Sequence, residues 1–577
     1  MRLHALALGW APLAALAGCG GGPTHSVLLV TLDTVRADAL GAYGRAPSVT
    51  PHLDRLAQEG VVFDAAYAVA PLTLPSHASM LTGLFPPRHG VRDNGLAALP
   101  QAATTLAERA QAAGFQTAAF LGSAVLDQGF GLEQGFEVYE PPRRRFYGGP
   151  SMGYAERPAH EVVARALDWL RGRDRARPFL LWVHLWDAHA PYTPTPELLA
   201  RAGGDPYLGE VAAVDLALGR LLGALRAEGL EDDTLVIAVA DHGEAFGEHG
   251  EVSHGPYVWN TTLRVPLILR LPGGKRAGTR VGAVASVADV HPTALAAMGL
   301  TPEPDGRIDG HSVYRKSPPA ERGAYFESYY GHLNFGWHPL SGWIDGTGKL
   351  VHAPTELYFE TGDRDEAGNL APVRGPRLAE LHAAIAAAAG RPALARDAEG
   401  LDPELRRSLQ AIGYAAFADE HVRVPGPLEK LPLPDPHERV GELARFQRAE
   451  GLFAAQRYGE AERELRALVD ENPANPFAWD RLALCLMRQD RHKEALAALE
   501  RVLALAAGNA DTWNYVGACQ IVAGAEDKAL AAFTHALELD PNHVHALKGI
   551  VHVLEAAGLG ERAAPFQARF EAVQARP

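Results

Sequence analysis

"SVLLVTLD" (residues 26–33), "FLLWVHLWD" (179–187) and "TLVIAVAD" (234–241) are short apolar runs, and each ends in an aspartate. Runs of this length, rich in branched residues, fit strands buried on both faces. Between them lie helical patterns such as "HEVVARALDWLRG" and "YLGEVAAVDLALGRLLGALRAEG". "VTPHLDRLAQEG" adds a helix with Thr50 as cap, Pro51 in first position and Gly60 as stop. Strands alternating with helices predict an α/β sandwich around a mostly parallel sheet. In such sheets ligands bind beyond the carboxyl ends of the strands. Three strand ends carrying Asp33, Asp187 and Asp241, two of them with a histidine within two residues, point to a metal site.

The third strand runs into "ADHGEAFGEHGEVSHG" (240–255). Asp241 and His242 are adjacent where the chain turns, so both can converge on one ion. Glycines at 243, 247, 250 and 255 permit tight backbone around it. Carboxylate plus imidazole suits a divalent transition metal. "HLWDAHAPY" (184–192) contributes Asp187 and His189, and His254 closes the glycine-rich segment. His184 and His249 read as structural or supporting residues.

"TLPSHASMLTG" (73–83) opens a helix, with Pro75 near its start. Thr73 has two readings there. It is an ordinary N-cap, or it is a nucleophile placed where backbone N–H groups and the helix dipole favour an anion.

The chain of 577 residues is long enough for several domains, and its net charge of -15 argues against gripping nucleic acid by bulk charge. Residues 1–18 read as an export signal: Arg2, an apolar run too short to span a membrane, then "LAGC". The ending resembles a bacterial lipobox. It implies lipidation of Cys19, a tether over 19–24 and an envelope location, outer membrane or periplasmic face. Only Cys485 and Cys519 remain, too few for a disulfide framework.

Near the C-terminus Trp479 and Trp513, Cys485 and Cys519, and Ala461, Ala495, Ala529 and Ala563 recur every 34 residues. The pattern resembles the tetratricopeptide repeat: three units (442–475, 476–509, 510–543) and a degenerate fourth (544–577). It implies an independent all-α superhelix over 439–577 that binds a protein or peptide. The two cysteines become repeat-core residues. A Pro-rich linker (416–438) separates it from one large domain, 25–415.

Within that domain, Asp33 in "TLDTVRAD", "TLPSHASMLTG", "HGVRDNG" (89–95), "WDAHAPY", "ADHGEAFGEHG", "LRVPLILRLPG" and "TELYFETGDRDEAGNL" (355–370) occur in order. The series resembles the sulfatase family of the alkaline phosphatase superfamily. The resemblance implies an alkaline-phosphatase-like α/β/α sandwich. It implies metal ligation by Asp33, Asp241, His242 and Thr73, with Thr73 at the nucleophile position. His189 and His254 then hold the transferred group or, with Asp187 and His77, a second metal. The ligand set suits zinc or manganese, with calcium also compatible, as one or two ions.

The sequence departs from the family in ways that bear on substrate. Sulfatases oxidise Cys or Ser to formylglycine, which Thr73 cannot become because its β-carbon bears a methyl group. The usual Arg is His77, one of the paired aspartates is Thr34, and "AAFLGSAVLD" (118–127) lacks the usual Lys and His. These departures favour phosphoric over sulfuric esters, as in the superfamily's threonine-dependent phosphodiesterases and phosphoethanolamine transferases. The alternatives are a sulfatase-like pseudoenzyme and a lipoprotein scaffold acting through its repeats.

Overall fold

The computed structural model describes residues 24–142, 156–301, 307–397, 423–506 and 508–574. The leader, Cys19 and the first part of the linker (416–422) lie outside these residues.

The main sheet contains β1 (Ser26–Leu32), β2 (Val61–Phe63), β3 (Gln116–Leu121), β4 (Val138–Glu140), β5 (Phe179–Leu185), β6 (Thr234–Ala240), β7 (Leu267–Arg270) and β8 (Thr279–Val281). Their spatial order is β8-β2-β7-β6-β1-β5-β3-β4, and only β7 runs antiparallel to its neighbours. The three aspartate-ended runs thus form the centre of the sheet, β6-β1-β5. Every residue of these strands is buried, as expected of strands covered on both faces.

The longer helices of the domain are α1 (Pro51–Gln58), α2 (Thr73–Thr82), α3 (Ala159–Gly172), α4 (Pro206–Ala227) and α5 (Gly375–Ala389). At the head of α1, Thr50 stands in the cap position but makes no capping bond. Its hydroxyl accepts from the Gly41 N–H (3.1 Å) and donates to Asp54 (3.2 Å). Gly60 follows the helix as expected, for a second reason: a β-carbon there would collide with the Leu269 carbonyl of β7.

A second, antiparallel sheet follows: β9 (Gly323–Ser328), β10 (Leu340–Asp345), β11 (Gly348–His352) and β12 (Leu357–Glu360). Beyond the linker come four helix pairs: α6 (Val440–Ala454) with α7 (Tyr458–Glu471), α8 (Pro476–Met487) with α9 (His492–Leu505), α10 (Ala510–Val522) with α11 (Glu526–Leu539), and α12 (Val544–Ala556) with α13 (Gly560–Gln574). Cys485 and Cys519 are buried inside the stack, with burial raising their pKa to about 12 and about 11.

The repeats do not stand apart as the sequence suggested. Phe335 of the large domain packs its ring against Phe446 of α6 (5.6 Å between centroids) and Phe477 of α8 (6.2 Å). The Trp337 indole N–H donates to Glu442 of α6 (3.1 Å), and the Asn472 amide donates to the Phe335 carbonyl (3.0 Å). These residues are buried in one apolar core that continues from the main sheet into the repeats. Linker periodicity and proline content do not show such an interface, because it is made by aromatic side chains far apart in the chain.

Candidate metal centre and active site

The register aligns Leu32 with Leu185 on one side and with Ala240 on the other, so β1, β5 and β6 end level. Asp33 and Asp241 therefore project from one rim. The chain turns sharply after Asp33. Thr34 has a φ of 53°, its N–H donates to Asp241 Oδ1 (3.3 Å) and its hydroxyl donates to the Ala188 carbonyl (2.7 Å). After Asp241 the chain packs against residues 261–262 so closely that a β-carbon at Gly243 would meet the Thr261 carbonyl.

Helix α2 points its N-terminus at this rim. Leu72, at the cap position, has no side chain to cap with. Instead Asn94 Oδ1 accepts the Leu74 N–H (2.8 Å). The Thr73 hydroxyl makes no capping bond and lies 3.4 Å from His242 Nε2. The cap reading of Thr73 thus fails, and the buried hydroxyl faces the metal-ligand candidates. His242 Nδ1 faces the Gly243 carbonyl (3.0 Å) and must donate to it, which leaves the Nε2 lone pair pointing at the site. One turn into α2, His77 Nδ1 donates to the Thr73 carbonyl (2.8 Å) and lies 3.7 Å from Asp241 Oδ2. His184 Nε2 is 3.1 Å from Asp33 Oδ2.

Donor atoms of Asp33, Asp241 and His242 all lie within 4.8 Å of one another, as do those of His77, His184 and Asp241. Every one of these residues is buried. Burial first, and then the neighbouring Asp241 charge, push Asp33 well above the usual carboxylate range. Asp33 Oδ1 and Asp241 Oδ2 make no hydrogen bond, nor does His77 Nε2. Buried carboxylate oxygens without donors are costly. A divalent cation between Asp33 and Asp241 offsets both the desolvation and the like-charge repulsion. The residues present fit a metal.

His254 lies beside His242, with rings 4.4 Å apart, and His189 lies 5.2 Å from His254. His189 stacks on Trp186 (3.9 Å) and faces the Ala190 carbonyl through Nδ1 (2.7 Å). His254 Nδ1 meets Glu244 (3.0 Å), whose other oxygen accepts from the Tyr192 hydroxyl (3.0 Å). Asp187 is directed elsewhere: its carboxylate accepts the Ala159 N–H at the start of α3 (2.7 Å), and burial raises its pKa to about 6. A cavity of about 470 Å³ adjoins His189, with Glu156, His160, Asp187, Glu210 and Arg220 on its walls.

Asp33, Thr73, Asp241, His242 and His77 thus come together, with His254 and His189 next to them. His249 stacks on Trp259 (4.0 Å), away from the ligands. His184, read from the sequence as a supporting residue, sits against Asp33. Sequence reading missed the work of Asn94 and Glu244, which hold α2 and His254 in place. Such contacts are set by three-dimensional approach and have no spacing signature.

Two further buried histidines lock α2. His89 Nδ1 accepts the Val91 N–H (3.1 Å), so its Nε2 donates to Ser79 of α2 (2.9 Å). His291 Nδ1 donates to the Leu81 carbonyl (2.9 Å). Burial, with Arg92 and Arg88 adding to it, lowers the pKa of His89 to about 3, and burial lowers that of His291 to about 4. The unfolded chain takes up these protons below pH ~6.5 while the folded one does not. Stability is therefore full above that pH and falls below it. Taking the protein from pH 7 to pH 5 is expected to cost about 2 kcal/mol per histidine. Denaturant titrations at the two pH values check this, and His89→Gln should remove about 2 kcal/mol of the loss.

A sulfatase family model matches residues 25–300, and a tetratricopeptide repeat model matches residues 452–518. Among curated proteins, N-acetylgalactosamine-6-sulfatase of Homo sapiens is 29% identical over 344 residues, covering 51% of this chain and 66% of that protein. The uncharacterized sulfatase YidJ of Escherichia coli (strain K12) is 27% identical over 415 residues, covering 59% and 82%. The chain thus spans about two thirds of the human relative's length. A structure solved with its substrate D-glucosamine-2-N,6-O-disulfate superposes with a TM-score of 0.55 at 21% identity, covering 64% of this chain and 98% of that one. Phosphonate monoester hydrolase of Agrobacterium radiobacter gives 0.50 at 24%, covering 62% and 94%. At these identities the structural likenesses speak for the fold.

Proposed function

We propose that this chain, which carries a sulfatase-family domain followed by tetratricopeptide repeats, is a metal-dependent ester hydrolase that uses Thr73 as its nucleophile and prefers phosphoric to sulfuric esters. One observation carries the reading: the Thr73 hydroxyl, uninvolved in capping, sits at the positive end of α2, 3.4 Å from His242 Nε2. A divalent metal held by Asp33, Asp241, His242 and Thr73 would lower the pKa of that hydroxyl and neutralise charge on the transferred group.

Thr73 Oγ attacks phosphorus, the bond to the ester oxygen breaks, and the alcohol leaves with a proton. Water then attacks the phosphothreonine from the opposite side, releases phosphate or its monoester and regenerates the hydroxyl. Asn94 fixes the Leu74 N–H, and its own amide Nδ2, buried without a partner, is a donor for a non-bridging oxygen. His189 and His254, beside His242, hold the group in line. A sulfothreonine would lack the aldehyde-hydrate route by which formylglycine releases sulfate, so sulfate esters should be poor substrates. The relatives named as sulfatases supply the competing expectation. It is decided by assaying p-nitrophenyl phosphodiester, phosphomonoester, phosphonate and sulfate with zinc, manganese and calcium. At least tenfold faster turnover of a phosphorus ester is expected. Sulfate turnover with none on phosphorus would overturn the preference.

The repeats would bring a protein or peptide partner to this site. Lipidation of Cys19 would hold both at the outer face of a bacterial membrane. If Cys19→Ala leaves the mature protein membrane-bound, that anchor is wrong.

A further inference from the structure

We propose that His352, Glu356 and His382 form a second divalent-metal site, suited to zinc and sharing no residue with the proposed catalytic centre. His352 ends β11, Glu356 lies in the turn before β12, and His382 is on α5. Their donor atoms lie within 4.8 Å of one another. One carboxylate oxygen of Glu356 is 3.2 Å from His352 Nδ1 and 2.7 Å from His382 Nε2, so both imidazoles converge on a single anion. Two nitrogens and a carboxylate oxygen, with one side open, is the donor set of three-ligand zinc sites.

The surroundings resemble a built site. The His352 side chain is only 4% exposed, while those of Glu356 and His382 are 28% and 30% exposed, so an ion can enter. The trio opens into a cavity of about 690 Å³ that His338 and Lys430 also line. His338 Nδ1 faces the Pro339 carbonyl (2.7 Å), which keeps a lone pair on its other nitrogen, and its ring is 6.0 Å from that of His352. The linker is pinned at the same place: Asp435 accepts the Thr355 N–H (2.8 Å), and the Pro434 carbonyl accepts the His338 N–H (2.9 Å). A bound ion would tie α5 to the last strands where the chain leaves for the repeats.

The test uses the full chain carrying Asp241→Asn and His242→Ala, which disables the catalytic ligand set and separates this site from the proposed function. After chelation and dialysis, Co²⁺ should give visible d–d absorption that saturates at a single equivalent, and Zn²⁺ should displace it. Adding His382→Ala, on a partly exposed helix position, should remove that equivalent, as should Glu356→Gln, with the circular dichroism unchanged. In an otherwise native chain, His382→Ala should leave hydrolysis at Thr73 unaltered. Absence of the absorption at micromolar free metal, or its persistence in both added variants, would overturn the site and leave a hydrogen-bonded ion cluster.

Discussion

Thr73→Ala is expected to lower ester turnover by about 10⁴-fold or more, the scale seen when a covalent nucleophile is removed. The loss should fall on kcat, because the hydroxyl forms its bond to phosphorus only in the reaction and contributes little to holding the ester. Thr73→Ser should retain part of the rate. It keeps the oxygen but loses the β-methyl group that restricts χ1, and the site around Thr73 is fully buried, so the serine hydroxyl gains room to turn away. Mass spectrometry of protein quenched during turnover should find a phosphoryl adduct on the tryptic peptide that begins upstream of Thr73 and ends at Arg88. Unchanged activity in Thr73→Ala would overturn the mechanism, and an adduct on another residue would reassign the nucleophile.

Asp241→Asn combined with His242→Ala should remove bound metal while the domain stays folded. The asparagine keeps an oxygen for the two backbone donors that Asp241 Oδ1 now serves, Thr34 N–H (3.3 Å) and His242 N–H (2.9 Å). It loses the charge, and the alanine loses the imidazole. With the ion go several kcal/mol of charge stabilisation, so turnover should fall about 10³-fold or more. Elemental analysis beside far-ultraviolet circular dichroism reads both consequences. Unchanged metal content would show that the ion is held elsewhere.

Strand ends were the most legible part of the molecule. A seven-residue apolar run followed by aspartate leaves little freedom, and β1 and β6 stop where the runs stop, whereas β5 stops before Trp186, one residue short of its run. Thr73 was ambiguous for a physical reason, since a threonine at a helix start serves equally as cap or as nucleophile. The cap is excluded by position: Leu72 holds the N-cap and Thr73 lies inside the first turn, where its hydroxyl makes no capping bond. Asp187 illustrates the opposite error. It shares the pattern of Asp33 and Asp241, but the neighbouring helix α3 presents an N–H that claims its carboxylate. The trio of His352, Glu356 and His382 passed unnoticed because α5 reaches it only after the chain has doubled back over the second sheet.

The aromatic contact between Phe335 and the first repeats also governs how the protein is made. Domains generally fold from the N-terminus as they are synthesised. Here the catalytic segment is complete before Phe446 and Phe477 exist, and it presents the buried faces of Phe335 and Trp337 to water in the meantime. The surface of the N-terminal segment is therefore completed only when the C-terminal helices dock on Phe335 and Trp337. A chain stopped before residue 440 would be left with a sticky surface, and would be a target for quality-control proteolysis rather than a smaller working enzyme.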